Sequence, residues 1–87
     1  MSVQGEYSRA LEAMLDRVRS LRHPRAEEWI QRLEAARIGS QPDLSEAARE
    51  SLRILDAIRD DADAATIEGL SEPLSHLDAH CRAILGR

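Results

Sequence analysis

Eighty-seven residues leave room for one small domain spanning residues 1–87, since independently folding units run from about 50 to about 200 residues. Hydrophobic residues make up 43%, charged residues 32%, and Gly and Pro only four and three positions, a balance that excludes collagen-like, disulfide-scaffold and wholly disordered chains. The net charge of −4 is uneven: residues 39–87 carry ten acids against five Arg, an acidic half that repels nucleic-acid phosphate and anionic lipid and suits, at most, a basic partner.

The first helical stripe is Tyr7, Ala10, Leu11, Met14, Leu15, Val18 and Leu21, the three-and-four spacing of one helix face, which predicts a helix near residues 5–22. It meets His23-Pro24, where the proline disfavours helical backbone at His23 and would clash with the Ser20 carbonyl in a continuous helix. Ala26, Trp29, Ile30, Leu33 and Ala36 mark a second helix near 25–38, with Pro24 tolerated in its first turn and Glu27 and Glu28 near its positive end. Gly39-Ser40-Gln41-Pro42 stops it.

Asp43 with Glu46 three residues on is a capping-box start for a third helix. Its stripe runs Leu44, Ala47, Ala48, Leu52, Leu55, Ile58, Ala62 and Ala65, predicting residues 44–68, with Gly69 as its left-handed cap and Leu70 folding back on the last turn. Asp60, Asp61 and Asp63 sit unfavourably at the negative end of so long a helix. Ser71 is placed to cap a fourth helix near 72–85, with Pro73 in its first turn and Leu74, Leu77, Cys81, Ile84 and Leu85 on its buried side. No segment alternates as a strand does.

The expected fold is therefore all-α: a small antiparallel bundle of about four helices, or two proline-bent helices forming a hairpin that dimerises. With one Trp, one Tyr and no Phe, the core must come from Leu, Ile and Ala. A core of that kind in so short a chain is marginal, which favours self-association or a partner. The longest apolar run is three residues, against about 20 for a membrane span. Residues 1–6 have neither a basic stretch nor an apolar segment of the secretory kind, so a cytoplasmic setting is expected. Cys81 is the single cysteine, which forbids an internal disulfide and fits a reducing compartment.

Three clusters bear on chemistry. His76 and His80, one turn apart, share a helix face and could hold a transition metal, with Asp78 nearby, while Cys81 points toward the apolar stripe; two partly exposed histidines beside that stripe are the plainer account. Arg17, Arg19, Arg22, His23 and Arg25 concentrate positive charge at the first corner, where they complement a helix C-terminus and could meet a phosphate at the next N-terminus. Ala35 and Gly39 match a helix-turn-helix spacing, but the helix that follows presents Asp43, Glu46 and Glu50 against one Arg, the wrong charge for DNA. The acidic run Asp60, Asp61, Asp63 with Glu68 lacks the glycine and terminal Glu of an EF-hand loop and reads as a solvated face.

No nucleophile elbow, phosphate loop or dinucleotide fingerprint is present. The expectation is a non-enzymatic helical module for protein–protein interaction or oligomerisation, a homodimer, with its interface at Leu11, Met14, Val18, Trp29 and Leu33. A small metal- or ligand-binding bundle using His76 and His80 is the alternative. No cofactor is called for beyond that metal ion, and neither nucleic acid nor membrane is an expected partner.

Overall fold

A computed structural model describes residues 3–61 and 66–86 of the chain. Four helices form: α1 (Val3–Arg19), α2 (Ala26–Ala35), α3 (Leu44–Asp60) and α4 (Ser71–Leu85), with a short 3-10 turn at Ile38–Ser40. No strand occurs among the described residues. The all-α bundle is thus the architecture adopted, with α1 and α2 as separate helices and not one proline-bent rod.

Each helix packs on the next in sequence, and α4 closes the ring against α1. Lateral contacts fix the directions. Arg19 faces Glu34 while Glu12 pairs with Arg37, so α1 and α2 run antiparallel. Arg59 reaches Asp78 on α4, whereas Arg17 near the end of α1 donates to the Glu68 carbonyl just before α4 begins. Short connections between antiparallel neighbours are the usual outcome for helices of this length.

α1 stops at Arg19, three residues short of the expected end. The backbone N–H groups of Ser20 and Leu21 donate to the Arg17 and Val18 carbonyls in a tightened last turn, and the Ser20 hydroxyl donates to the same Arg17 oxygen at 2.7 Å. The chain therefore leaves helical geometry before the proline obliges it to.

α3 begins as expected: Asp43 adopts extended backbone and its Oδ1 accepts from the Glu46 N–H at 2.8 Å. The reciprocal half of the capping box is replaced by a Glu46–Arg49 pair. The far end differs. α3 finishes at Asp60 instead of near residue 68, and Asp61 turns extended, taking its carboxylate off the helix's negative end toward His23 and Arg25. Ala62 and Ala65, expected on the α3 stripe, and Asp63 lie outside the described residues.

Gly69 does adopt a left-handed φ of 80°, but as the turn into α4, not as the cap of α3. A side chain there would also meet the Arg17 guanidinium, 2.9 Å from where its Cβ would stand. Leu70, already helical in backbone and 2% exposed, becomes the N-cap of α4, so Ser71 sits one position inside the helix and makes no capping bond.

The interior is continuous across all four helices. It comprises Tyr7, Ala10, Leu11, Met14, Leu15 and Val18 of α1, Ala26, Trp29 and Leu33 of α2, Ala47, Ala48, Ile54, Leu55 and Ile58 of α3, and Leu74, Leu77 and Cys81 of α4, with Leu70 at the start of α4. Among the described residues Val3 is the one large apolar side chain that stands exposed. The radius of gyration, 12.1 Å, matches the roughly 12 Å of a compact chain of this length. One copy therefore buries most of its own apolar stripes, with Leu21, Ile30, Leu44, Leu52, Ile84 and Leu85 partly covered.

Candidate functional site

Where the sequence was expected to present a docking face, the structure has an interior. Leu11, Met14, Val18, Trp29 and Leu33 are each 2% exposed or less. Met14, Val18 and Leu33 are fully enclosed by neighbouring helices, and the Trp29 indole stacks on the His23 ring with centroids 4.6 Å apart. These five hold the bundle together, and in this fold none can meet a partner. A helix stripe carries no mark that tells an intramolecular neighbour from a second chain, which is why periodicity alone misplaced them.

The core also contains a polar node that periodicity passes over. Ser51 lies fully buried on α3 between Ala47 and Leu55. The Tyr7 hydroxyl approaches it at 2.6 Å, donates to the Ala36 carbonyl at 2.7 Å and lies 3.0 Å from the Ala47 carbonyl. Ala36 is the C-cap of α2, whose carbonyl has no partner within the helix, so the phenol supplies what the helix end lacks. Burial pushes the Tyr7 hydroxyl up to about 12, against the lowering effect of Ser51. It likewise pushes the Cys81 thiol up to about 12, again opposed by a hydrogen bond with Ser51. At neutral pH both groups keep their protons, and the thiol is a packing group without thiolate character.

Arg19, His23 and Arg25 of the basic corner face acids. Arg19 pairs with Asp16 and Glu34, and Arg17 lies over the turn at Glu68. His23 and Arg25 both face Asp61, each at 3.8 Å. The His23 Nδ1 accepts the Arg25 N–H at 3.0 Å, and its side chain is 9% exposed. Asp61 is thus a partly buried tie between the first corner and the end of α3, not a member of a solvated face.

Two concavities lie between α1 and α4. One cavity, about 260 Å³, is lined by Glu6, Arg9, Ala10 and Ala13 of α1 and by His76 and His80 of α4. A second, of like volume, adjoins it through Ala13 and His76 and adds Glu72 and Pro73. Together they make a groove with alanines on its α1 side and ionisable groups on its rim. Its length follows from residues 6–13 and 72–80 at about 1.5 Å each, roughly 10–12 Å.

On the α4 wall the histidine rings face each other, with Nε2 to Nε2 at 3.3 Å and centroids 4.9 Å apart. One ring donates and the other accepts, which requires at least one unprotonated nitrogen. Asp78, the carboxylate closest in sequence, turns the other way: it receives Arg82 at 3.0 Å and Arg59 at 3.3 Å. Burial would raise its pKa, but those two guanidiniums outweigh the effect and hold it below the usual carboxylate value. Cys81 faces the core, as its position on the stripe predicts. Among the described residues no three His, Cys, Asp or Glu side chains are grouped to hold a metal. Glu6 and Arg9, the α1 share of the cavity, lie some 70 positions from the histidines in sequence, and no local pattern pairs them.

Compared with protein-family models, curated proteins and solved structures, the chain matches none. Among the described residues no helix is long and apolar enough to cross a membrane.

Proposed function

We propose that this chain is a non-enzymatic helical recognition module that associates with a protein partner through the α1–α4 groove, and that it works in the cytoplasm. The observation that carries the proposal is the groove itself: two adjoining concavities between α1 and α4, on a bundle that keeps most of its large apolar side chains inside. Ala10 and Ala13 let another backbone approach closely, while Glu6, Arg9, Glu72, His76 and His80 supply the polar rim that non-obligate interfaces use. The groove's length accepts about two turns of a partner helix. The acidic balance of residues 39–87 argues against nucleic acid as that partner, and the lone, buried Cys81 accords with a reducing compartment.

Ala13 is exposed, so a large side chain there fills the groove without touching the core. Affinity capture from the source cells with wild type and with Ala13→Trp and Glu72→Arg variants tests the assignment. A specific partner retained by wild type and weakened at least about tenfold by both variants, at unchanged melting temperature, supports it. The same partners captured equally by all three proteins would contradict it. Light scattering on the same samples distinguishes a second copy of this chain, the expected homodimer, from a different protein.

A further inference from the structure

We infer that His76 and His80 form a two-imidazole site for a transition-metal ion of the zinc, nickel or copper class, set in the wall of the α1–α4 groove. The inference does not depend on any protein partner for that groove. It stands on the positions of the two donor atoms. Imidazole nitrogens bind zinc at about 2.0–2.1 Å, so two of them on a tetrahedral ion stand about 3.3–3.4 Å apart. The two Nε2 atoms are 3.3 Å apart, both belong to the same end of their rings, and both rings line one cavity. An ion on the open side of the pair is met by both lone pairs once each ring turns about its side-chain bonds away from the Nε2–Nε2 line, with no change of helix geometry.

The helix explains the arrangement. A four-residue spacing places side chains one turn apart on one face, and α4 continues unbroken through both positions. Before the ion arrives, one Nε2–H donates to the other ring's lone pair. On binding, the donor ring takes its hydrogen on Nδ1, so that both Nε2 atoms are free to coordinate and two neutral rings release no proton. A protonated imidazole cannot coordinate, so acid must weaken the site.

The remaining positions on the ion fall to water, since no third His, Cys, Asp or Glu is grouped with the pair among the described residues. Glu6 and Glu72 line the two halves of the groove and contribute negative charge there, opposed by Arg9. The site is therefore open and exchangeable, unlike the closed four-ligand centres that hold a fold together. Its ligands are soft enough to exclude magnesium and calcium, which prefer oxygen donors.

Isothermal titration of Zn²⁺ into the full chain, purified without a histidine tag, tests the site. The expected result is one ion per chain, with affinity falling at least about tenfold in both His76→Ala and His80→Ala. Cys81→Ala should bind as wild type does, and Mg²⁺ should give no heat. Far-UV circular dichroism of each variant confirms the fold; both histidines are at the surface and their loss leaves the core intact. No Zn²⁺ binding by wild type, binding unchanged in both histidine variants, or binding lost with Cys81 would overturn the inference.

Discussion

Replacing Tyr7 by Phe removes a single oxygen from the middle of the bundle. The ring stays, so no cavity opens, and the cost is that of the hydrogen bonds alone. The phenol is the 2.7 Å donor to the Ala36 carbonyl and the 2.6 Å neighbour of the Ser51 hydroxyl, and Ser51 is itself fully buried. Without it the end of α2 and the Ser51 hydroxyl each lose a partner where water cannot take its place. A buried polar group left without its partner costs about 1–3 kcal/mol, partly offset because the phenol no longer has to be desolvated. A net loss of about 2 kcal/mol lowers the melting temperature by roughly 8–16 °C in a domain of this size. Urea unfolding followed by circular dichroism, with an unchanged m-value, measures it directly.

Ser51→Ala provides the internal control, since it leaves the bond from Tyr7 to Ala36 in place and should cost less than Tyr7→Phe. Because the two side chains share one bond, the double variant should be more stable than the sum of the single losses implies, by at least about 0.5 kcal/mol. Should Tyr7→Phe fall within about 0.5 kcal/mol of wild type, or the two changes prove additive, the phenol does not join the helices in the way described.

Tyr7 is the only tyrosine, so phenolate absorbance in a pH titration reports this one group. With its folded value raised to about 12 and its unfolded value near 10, the node's stabilisation is complete below about pH 10 and lost as pH rises through about 12. Cys81 acts in the same direction, and absorbance titrating near 10 in the folded protein would refute the buried assignment. Gly69→Ala forces an L-residue into a left-handed φ of 80° and pushes its Cβ against Arg17; a loss of about 1–2 kcal/mol is expected in thermal unfolding. Gly39→Ala, with nothing within 4 Å of the added carbon, should be neutral or stabilise by up to about 1 kcal/mol, and equal effects at the two glycines would contradict the placement of Arg17.

Helix content was legible because each stripe repeats at three and four residues, and because Asp43 and Pro24 act on their immediate neighbours. The end of α3 was not. Asp61 leaves the helix toward His23 and Arg25, groups from a distant corner that a local reading of residues 44–68 does not include. Ser51 was missed for a related reason: a small hydroxyl on an apolar stripe looks like an interruption until Tyr7, on another helix, is seen opposite it. The His76 and His80 pair needed only the turn of one helix and was readable as such. Glu6 and Arg9 joined it through packing of α1 on α4, which no local spacing encodes. The side chains expected at a docking face, Leu11, Met14, Val18, Trp29 and Leu33, lie inside because the four helices bury most of one another's stripes within one chain, leaving Leu21, Ile30, Leu44, Leu52, Ile84 and Leu85 partly covered.

That closure is the claim on which the groove, the metal site and the buried phenol all depend, and Trp29 tests it most directly. It is the only tryptophan, it belongs to the stripe once expected at an interface, and it is 1% exposed within a single copy. Acrylamide quenching of its fluorescence, measured over a wide dilution series with light scattering in parallel, separates intramolecular burial from burial by association. Closure within one chain predicts strong protection that does not change on dilution, down to concentrations where light scattering gives a single copy. Protection that falls as the protein is diluted would mean that Trp29 is covered by another molecule, and the closed bundle would be contradicted.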